Sequence, residues 1–207
     1  MQRPVITLLP TPPRAPAQLH YSVVPCTLGW VLIATRSDAP APPGQALAPL
    51  AVLYLGDDAK ALADELQHCY PKAQIVQNDA GLAALAQAVQ AAIANPQLAH
   101  TVPLVLGGTA FQQRVWSALC DIPLGETRSY SAQTALLGDI KALRAVARAN
   151  GANQIALLVP CHRVIGKHGA LTGYRWGLAR KQALLVQEGH RFSSEAAPAA
   201  TVQMDLI

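Results

Sequence analysis

Residues 155–165 read Ile-Ala-Leu-Leu-Val-Pro-Cys-His-Arg-Val-Ile. An apolar run of strand length, Ile155 to Val159, meets Pro160, which forces an extended or turning backbone, and then Cys161-His162-Arg163-Val164. The pattern predicts a buried strand ending on a cysteine. A sulfur fixed there beside an imidazole is a candidate nucleophile, because a neighbouring imidazole or cation favours the thiolate. Neighbouring side chains on an extended strand point to opposite faces, so His162 can assist Cys161 only through a turn or a bridging water. A buried structural cysteine beside a surface histidine is the other reading of this dipeptide.

Upstream, Asn95 to Gly108 holds two prolines and ends in two glycines, which sets a domain boundary at 106/107. Thr109-Ala110-Phe111-Gln112 fits a capping box, and Phe111, Val115, Trp116 and Leu119 share one helical face. Ser129 can cap a second helix running through Leu137 to Gly138, and a third runs from about Ile140 to Ala149. Two short helices joined by a glycine-containing turn resemble a helix-turn-helix. On the third, Arg144 and Arg148 share a face among the small residues Ala142, Ala145, Ala147 and Ala149, which fits either a helix whose backbone approaches a groove while arginines meet phosphates or an amphipathic helix with alanines in the core and solvated arginines. Charge favours the first: residues 107–191 carry 11 basic and 4 acidic side chains, against 5 and 6 in residues 1–106. A polyanionic partner for the second segment is expected.

The first segment reads as a small α/β unit. Leu19 to Pro25 and Leu28 to Thr35 form a hairpin, Asp38 to Pro49 is a loop around Ala-Pro-Ala-Pro-Pro-Gly, and Leu50 to Gly56 is a third strand. Asp57 to Tyr70 and Ala80 to Ala94 carry helical apolar spacing. The Pro- and Ala-rich residues 1–18 are expected as a flexible arm and residues 192–207 as a flexible tail, both extra segments that could carry partner contacts. Hydrophobic residues make up 51% of the 207, which excludes a wholly disordered chain, and no apolar run approaches the roughly 20 residues of a membrane span. A cytoplasmic monomer is expected. The four cysteines, Cys26, Cys69, Cys120 and Cys161, are too scattered for a disulfide scaffold and share no metal-ligand spacing with the histidines, so neither metal nor cofactor is expected.

Pro160-Cys161-His162-Arg163-Val164-Ile165, with Gly173-Tyr174-Arg175-Trp176-Gly177 and the stretch from Leu178 to Gly189, resembles the active-site region of the O6-alkylguanine-DNA alkyltransferases, most of all the C-terminal module of the bacterial adaptive-response protein. The similarity extends through Gly108 to Gln112 and Ser129-Tyr130, and covers roughly residues 19–189. It implies an α+β fold: a ribonuclease-H-like α/β domain over residues 19–106 and a mostly helical domain with a winged-helix-like helix-turn-helix over 107–191. It also implies stoichiometric transfer of an alkyl group from O6-alkylguanine, and from O4-alkylthymine, in flipped-out double-stranded DNA to Cys161. In that scheme His162 takes the thiol proton through water, Glu188 orients His162, Asn153 shapes the turn around the cysteine, and Tyr130 donates to the guanine oxygen. Arg144 fills the space left by the flipped base, with Ala142, Ala145, Arg148 and Arg163 on the DNA face. Val164, Tyr174, Arg175 and Trp176 line the base pocket. Lys181 also stands at a lysine position of the family, and is expected at the surface. Ile140 replaces a common proline, so the third helix is expected to start less sharply, and the ring of Trp176 predicts poor acceptance of bulky O6 substituents.

Two other function classes fit the same residues. A helix-turn-helix regulator could use the cysteine only as a sensor of oxidants or alkylators, and a cysteine hydrolase could use Cys161 with His162. No oxyanion loop of the hydrolase kind is identifiable in the sequence.

Overall fold

The computed structural model describes residues 3–11, 15–138 and 140–192. Its N-terminal portion is a six-stranded mixed sheet in the order β1-β6-β4-β3-β2-β5. The strands and helices, in chain order, are β1 (Ile6–Leu8), β2 (Gln18–Cys26), β3 (Gly29–Arg36), β4 (Leu50–Gly56), α1 (Ala59–Cys69), β5 (Gln74–Gln77), α2 (Asp79–Ala94) and β6 (Leu104–Leu106). The hairpin of β2 and β3 pairs antiparallel from Leu19↔Arg36 to Cys26↔Gly29. Its corner requires glycine: Gly29 has φ +102°, and a Cβ there would sit 2.5 Å from the Gly56 carbonyl. Asp58 caps α1, its carboxylate accepting the Ala61 N–H at 2.7 Å, and Leu62 and Leu66 drop into the core. Asn78 caps α2 in the same way, accepting from Gly81 N–H at 2.9 Å.

The arm expected over residues 1–18 is instead partly built into the sheet. Val5-Ile6-Thr7-Leu8 is rich in β-branched residues, and β1 pairs parallel with β6, which leaves Arg3 in an ion pair with Asp121 at 2.9 Å. The tail expected from residue 192 lies, from residue 193 onward, outside the described residues.

The C-terminal portion is α3 (Ala110–Leu119), the short strand β7 (Arg128–Ser129), α4 (Tyr130–Leu136), α5 (Leu143–Gly151), β8 (Val164–Ile165) and α6 (Leu178–Gln187). Thr109 and Gln112 form the capping box of α3, and Ser129 caps α4. Two buried contacts fix α5: Trp116 Nε1 donates to the Ala149 carbonyl at 2.7 Å, and the amides of Gln133 and Asn150 exchange hydrogen bonds. A 3-10 turn over Ile140–Ala142 precedes α5, whose first residue lacks a side-chain cap, in line with the loose start expected there. Among the described residues no helix is long and apolar enough to cross a membrane.

Candidate active site

The strand expected over Ile155 to Val159 does not form. Only Leu53↔Ile155 bridges to the sheet, and the chain turns back on itself with Leu157 at φ +64°, although all five residues are buried. The cause is Asn153, which leaves α5 and spends its amide on this segment. Its Oδ1 accepts the Ile155 N–H at 2.9 Å, while Nδ2 lies 3.1 Å from the Ile155 carbonyl, 2.8 Å from that of Val159 and 3.3 Å from Cys161 Sγ. An asparagine side chain that satisfies these backbone groups competes directly with a sheet ladder. The same amide thus shapes the loop and donates to the sulfur.

Cys161 opens a 3-10 turn, Cys161–Arg163, rather than ending a strand. Successive side chains on such a turn are about 120° apart instead of opposed. The sulfur residue is 8% exposed. Burial pushes its pKa up, opposed by the Asn153 hydrogen bond and the charge of Lys181. His162 is fully buried, with Nε2 at 2.9 Å from Glu188 Oε1 and Nδ1 without a partner among the described residues. Burial holds the imidazole pKa below its usual value despite the pull of Glu188. The ring is therefore neutral at neutral pH. Glu188 ends α6; burial works against its charge, but His162 and Arg163 outweigh it and bring its pKa down to about 2.

Arg163 corrects an expectation. It is buried, gives Nε and Nη2 to Glu188 at 2.8 Å each, and donates Nη1 to the Ile122 carbonyl, so no face of it is left for DNA. An arginine inside a Cys-His-Arg motif reads as basic surface, yet here it is the countercharge that makes a buried glutamate tolerable.

Around the sulfur stand Tyr130, whose pKa is raised by burial and by the charge of Cys161, and Tyr174, which meets His162 edge-on at 6.3 Å and Trp176 at 5.2 Å between ring centroids. Trp176 is buried and Val164 lies in β8, paired with β7. The Arg175 guanidinium turns to the N-terminal portion, bonding Glu65 at 2.5 Å and lying 4.9 Å from the Tyr54 ring centroid and 5.8 Å from that of Trp176.

Lys181, expected at the surface, is a second residue that the structure places differently. It is completely buried, and its ammonium donates to the carbonyls of Val164 at 2.6 Å and Thr172 at 2.8 Å, stitching both ends of the loop that follows the cysteine. Burial brings its pKa down to about 8, with the charge of Cys161 acting the other way. The signal available was helical phase: Lys181 lies one turn before the buried Leu184 and Leu185 on α6.

On α5, Arg144, Ala145, Ala147 and Arg148 are exposed and Ala142 is half-buried, while Val146, Ala149 and Asn150 face the core. The helix ends two residues before Asn153, so the exposed arginines and the sulfur are joined by one short segment that Asn153 holds at both ends.

The profile of the 6-O-methylguanine DNA methyltransferase DNA-binding domain matches residues 110–190. Over 147 residues the chain is 44% identical to the inducible methylated-DNA–protein-cysteine methyltransferase of Bacillus subtilis, covering 70% of this chain and 82% of that one. The chain belongs to the methylated-DNA–protein-cysteine methyltransferase family. The crystal structure of the Mycobacterium tuberculosis O6-methylguanine methyltransferase superposes with a TM-score of 0.61 at 34% identity, over 88% of this chain and 96% of that one. The same mycobacterial protein in complex with DNA gives 0.59, over 82% and 93%. The regulatory protein Ada of Salmonella typhimurium is 47% identical over 66% of this methyltransferase-family chain, which spans 38% of Ada's length.

Proposed function

We propose that this protein repairs alkylated DNA by moving a methyl or larger alkyl group from the O6 of guanine, and from the O4 of thymine, onto Cys161. The observation that carries the reading is the buried line Asn153–Cys161 beside His162–Glu188: a sulfur held by a donor, next to a neutral imidazole whose far nitrogen is locked by a carboxylate. With Nε2 facing Glu188, Nδ1 is the nitrogen free to take a proton, through one bridging water. The thiolate attacks the alkyl carbon in line, the S–C bond forms as the C–O6 bond breaks, and Tyr130 supplies a proton to the departing guanine oxygen. The thiol proton goes to His162. The product thioether has no easy reverse reaction, so each molecule acts once.

The alkyl carbon lies inside the duplex, and a buried sulfur reaches it only if the nucleotide rotates out, at a cost of a few kcal/mol. Arg144, exposed on α5, fills the vacated space and offsets part of that cost. In this reading α4 and α5 are the helix-turn-helix of a winged-helix-like domain, the N-terminal sheet is ribonuclease-H-like, and the protein binds double-stranded DNA as a monomer.

The test is to incubate the protein with duplex containing O6-methylguanine and weigh the peptide bearing Cys161. One added methyl, absent from Cys161→Ala, is expected. Unmodified protein that still binds the duplex would instead support a sensor-regulator, and thioester turnover a hydrolase.

A further inference from the structure

Eight large apolar side chains are well exposed among the described residues, and three of them, Leu136 (67%), Ile140 (81%) and Leu143 (43%), fall within eight consecutive positions. Single exposed apolar residues need no explanation, but a cluster does. Leu136 lines an open groove with Leu8 and Leu9 of the N-terminal segment. Ile140 and Leu143 do not line that groove. They occupy the 3-10 turn and the first position of α5, immediately before Arg144. The core side of α5 is already filled by Val146, Ala149 and Asn150, the last two held by Trp116 and Gln133, so these side chains cannot be drawn inward.

We infer that Ile140 and Leu143 form an apolar ridge beside Arg144 that lies against the deoxyribose edges of the bound duplex. This rests on the reading of α5 as the DNA-facing helix. The surroundings favour DNA over a protein partner. The exposed residues of α5 are Leu143, Arg144, Ala145, Ala147, Arg148 and Gly151, two cations among small residues with no acid. Such a surface suits a polyanion whose sugars offer apolar C–H edges between phosphates, and apolar wedges beside arginines are a known means of holding an opened base step. The ridge gives Arg144 a rigid shoulder. It also adds affinity of a kind that cations cannot, because covering sugar carbons releases no counterions.

That difference makes the test. Binding to a short undamaged duplex with room for one molecule, and to a long one, is measured across a salt titration, for wild type, Ile140→Ala/Leu143→Ala, Leu143→Met, Arg144→Ala and Arg148→Ala. The double alanine variant should bind about tenfold more weakly at every salt concentration, with the slope of log K against log salt unchanged. Leu143→Met should bind as wild type does, and Arg148→Ala should lower the slope by about one. An unchanged thermal midpoint shows that the double variant is folded. Wild-type affinity in that variant overturns the ridge, as does an altered slope. A loss seen only on long duplex, through lower cooperativity, overturns it by assigning the residues to a second copy of the chain. Should Arg144→Ala and Arg148→Ala also leave affinity and slope untouched, the placement of α5 on DNA fails first; if they act and the ridge variant does not, only the ridge falls.

Discussion

His162 Nε2 and Glu188 Oε1 lie 2.9 Å apart with both side chains closed to solvent, and Arg163 shares the same carboxylate. Their protonation is therefore tied to folding. His162 has a folded pKa below the 6.5 of the unfolded residue, so the unfolded state binds the proton more readily, and stability falls as pH drops below about 6.5. Glu188, at about 2 against 4.5 unfolded, adds a second loss between about pH 4.5 and 2. Urea midpoints should decline on acidification in those two windows. Glu188→Gln should remove the lower one, and it should destabilise the protein by about 3–5 kcal/mol at pH 7, because Arg163 is left buried without its countercharge. A midpoint equal to wild type at pH 7 would contradict this.

Lys181 joins the carbonyls of Val164 and Thr172 and lends its charge to Cys161. Lys181→Met keeps the bulk and removes both effects. The buried Val164 carbonyl loses its donor, which costs about 1–3 kcal/mol, and the carbonyl of the exposed Thr172 loses a donor that water replaces more readily. The thiol pKa rises, so transfer at pH 7 should slow by about tenfold for each unit of that rise. Iodoacetamide alkylation of Cys161 followed against pH reads the thiol separately from DNA binding. A variant with the wild-type alkylation profile would show that the lysine is only a loop fastener.

Asn153 contributes to the sulfur and to the loop through a single amide, so its substitutions separate the two. Asn153→Ala removes four contacts and should both lower the thermal midpoint and raise the Cys161 pKa. Asn153→Asp can still accept the Ile155 N–H but sets a carboxylate against the thiolate. It should be the slower of the two in alkyl transfer and no more stable, because its second carboxylate oxygen also faces the buried carbonyls of Ile155 and Val159. The reverse order of rates would show that the amide acts on the loop alone.

The sequence disclosed the capped helices, the hairpin and the Cys-His motif because each rests on local chemistry: Asp58, Asn78 and Thr109 cap their own helices, and Gly29 makes its own corner. It hid what depends on contacts made far along the chain. β1 has only three residues and is a strand because β6 lies beside it, about a hundred positions away. The Ile155 to Val159 run has strand composition, but Asn153 claims its backbone groups. Arg163 and Lys181 read as surface cations until Glu188 and two carbonyls supply their partners.

Arg144 is exposed on α5, and the flipping role proposed for it requires an effect only where there is a stack to open. Arg144→Ala should slow transfer from duplex O6-methylguanine far more than transfer from the free base. Single-turnover rates on the two substrates decide it. Equal slowing on both would take away the flipping role and leave Arg144 as one more phosphate contact.

Trp176 is buried, with its ring 5.2 Å from Tyr174 at an interplanar angle of 69°, and Tyr174 in turn leans on His162. Its indole N–H is buried without a partner among the described residues, so packing rather than hydrogen bonding holds the ring. An edge-on aromatic cluster beside the histidine is expected to resist a benzyl ring more than a methyl group. O6-benzylguanine should therefore inactivate the protein more slowly than methylated duplex does. Trp176→Ala should narrow that gap, because the space once filled by the indole admits the larger group, while core truncation costs about 3–5 kcal/mol of stability. The comparison is a ratio of two inactivation rates on the same variant, so lost stability cancels from it. An equal rate for both substrates in wild type would mean that the stack lies outside the path of the alkyl group.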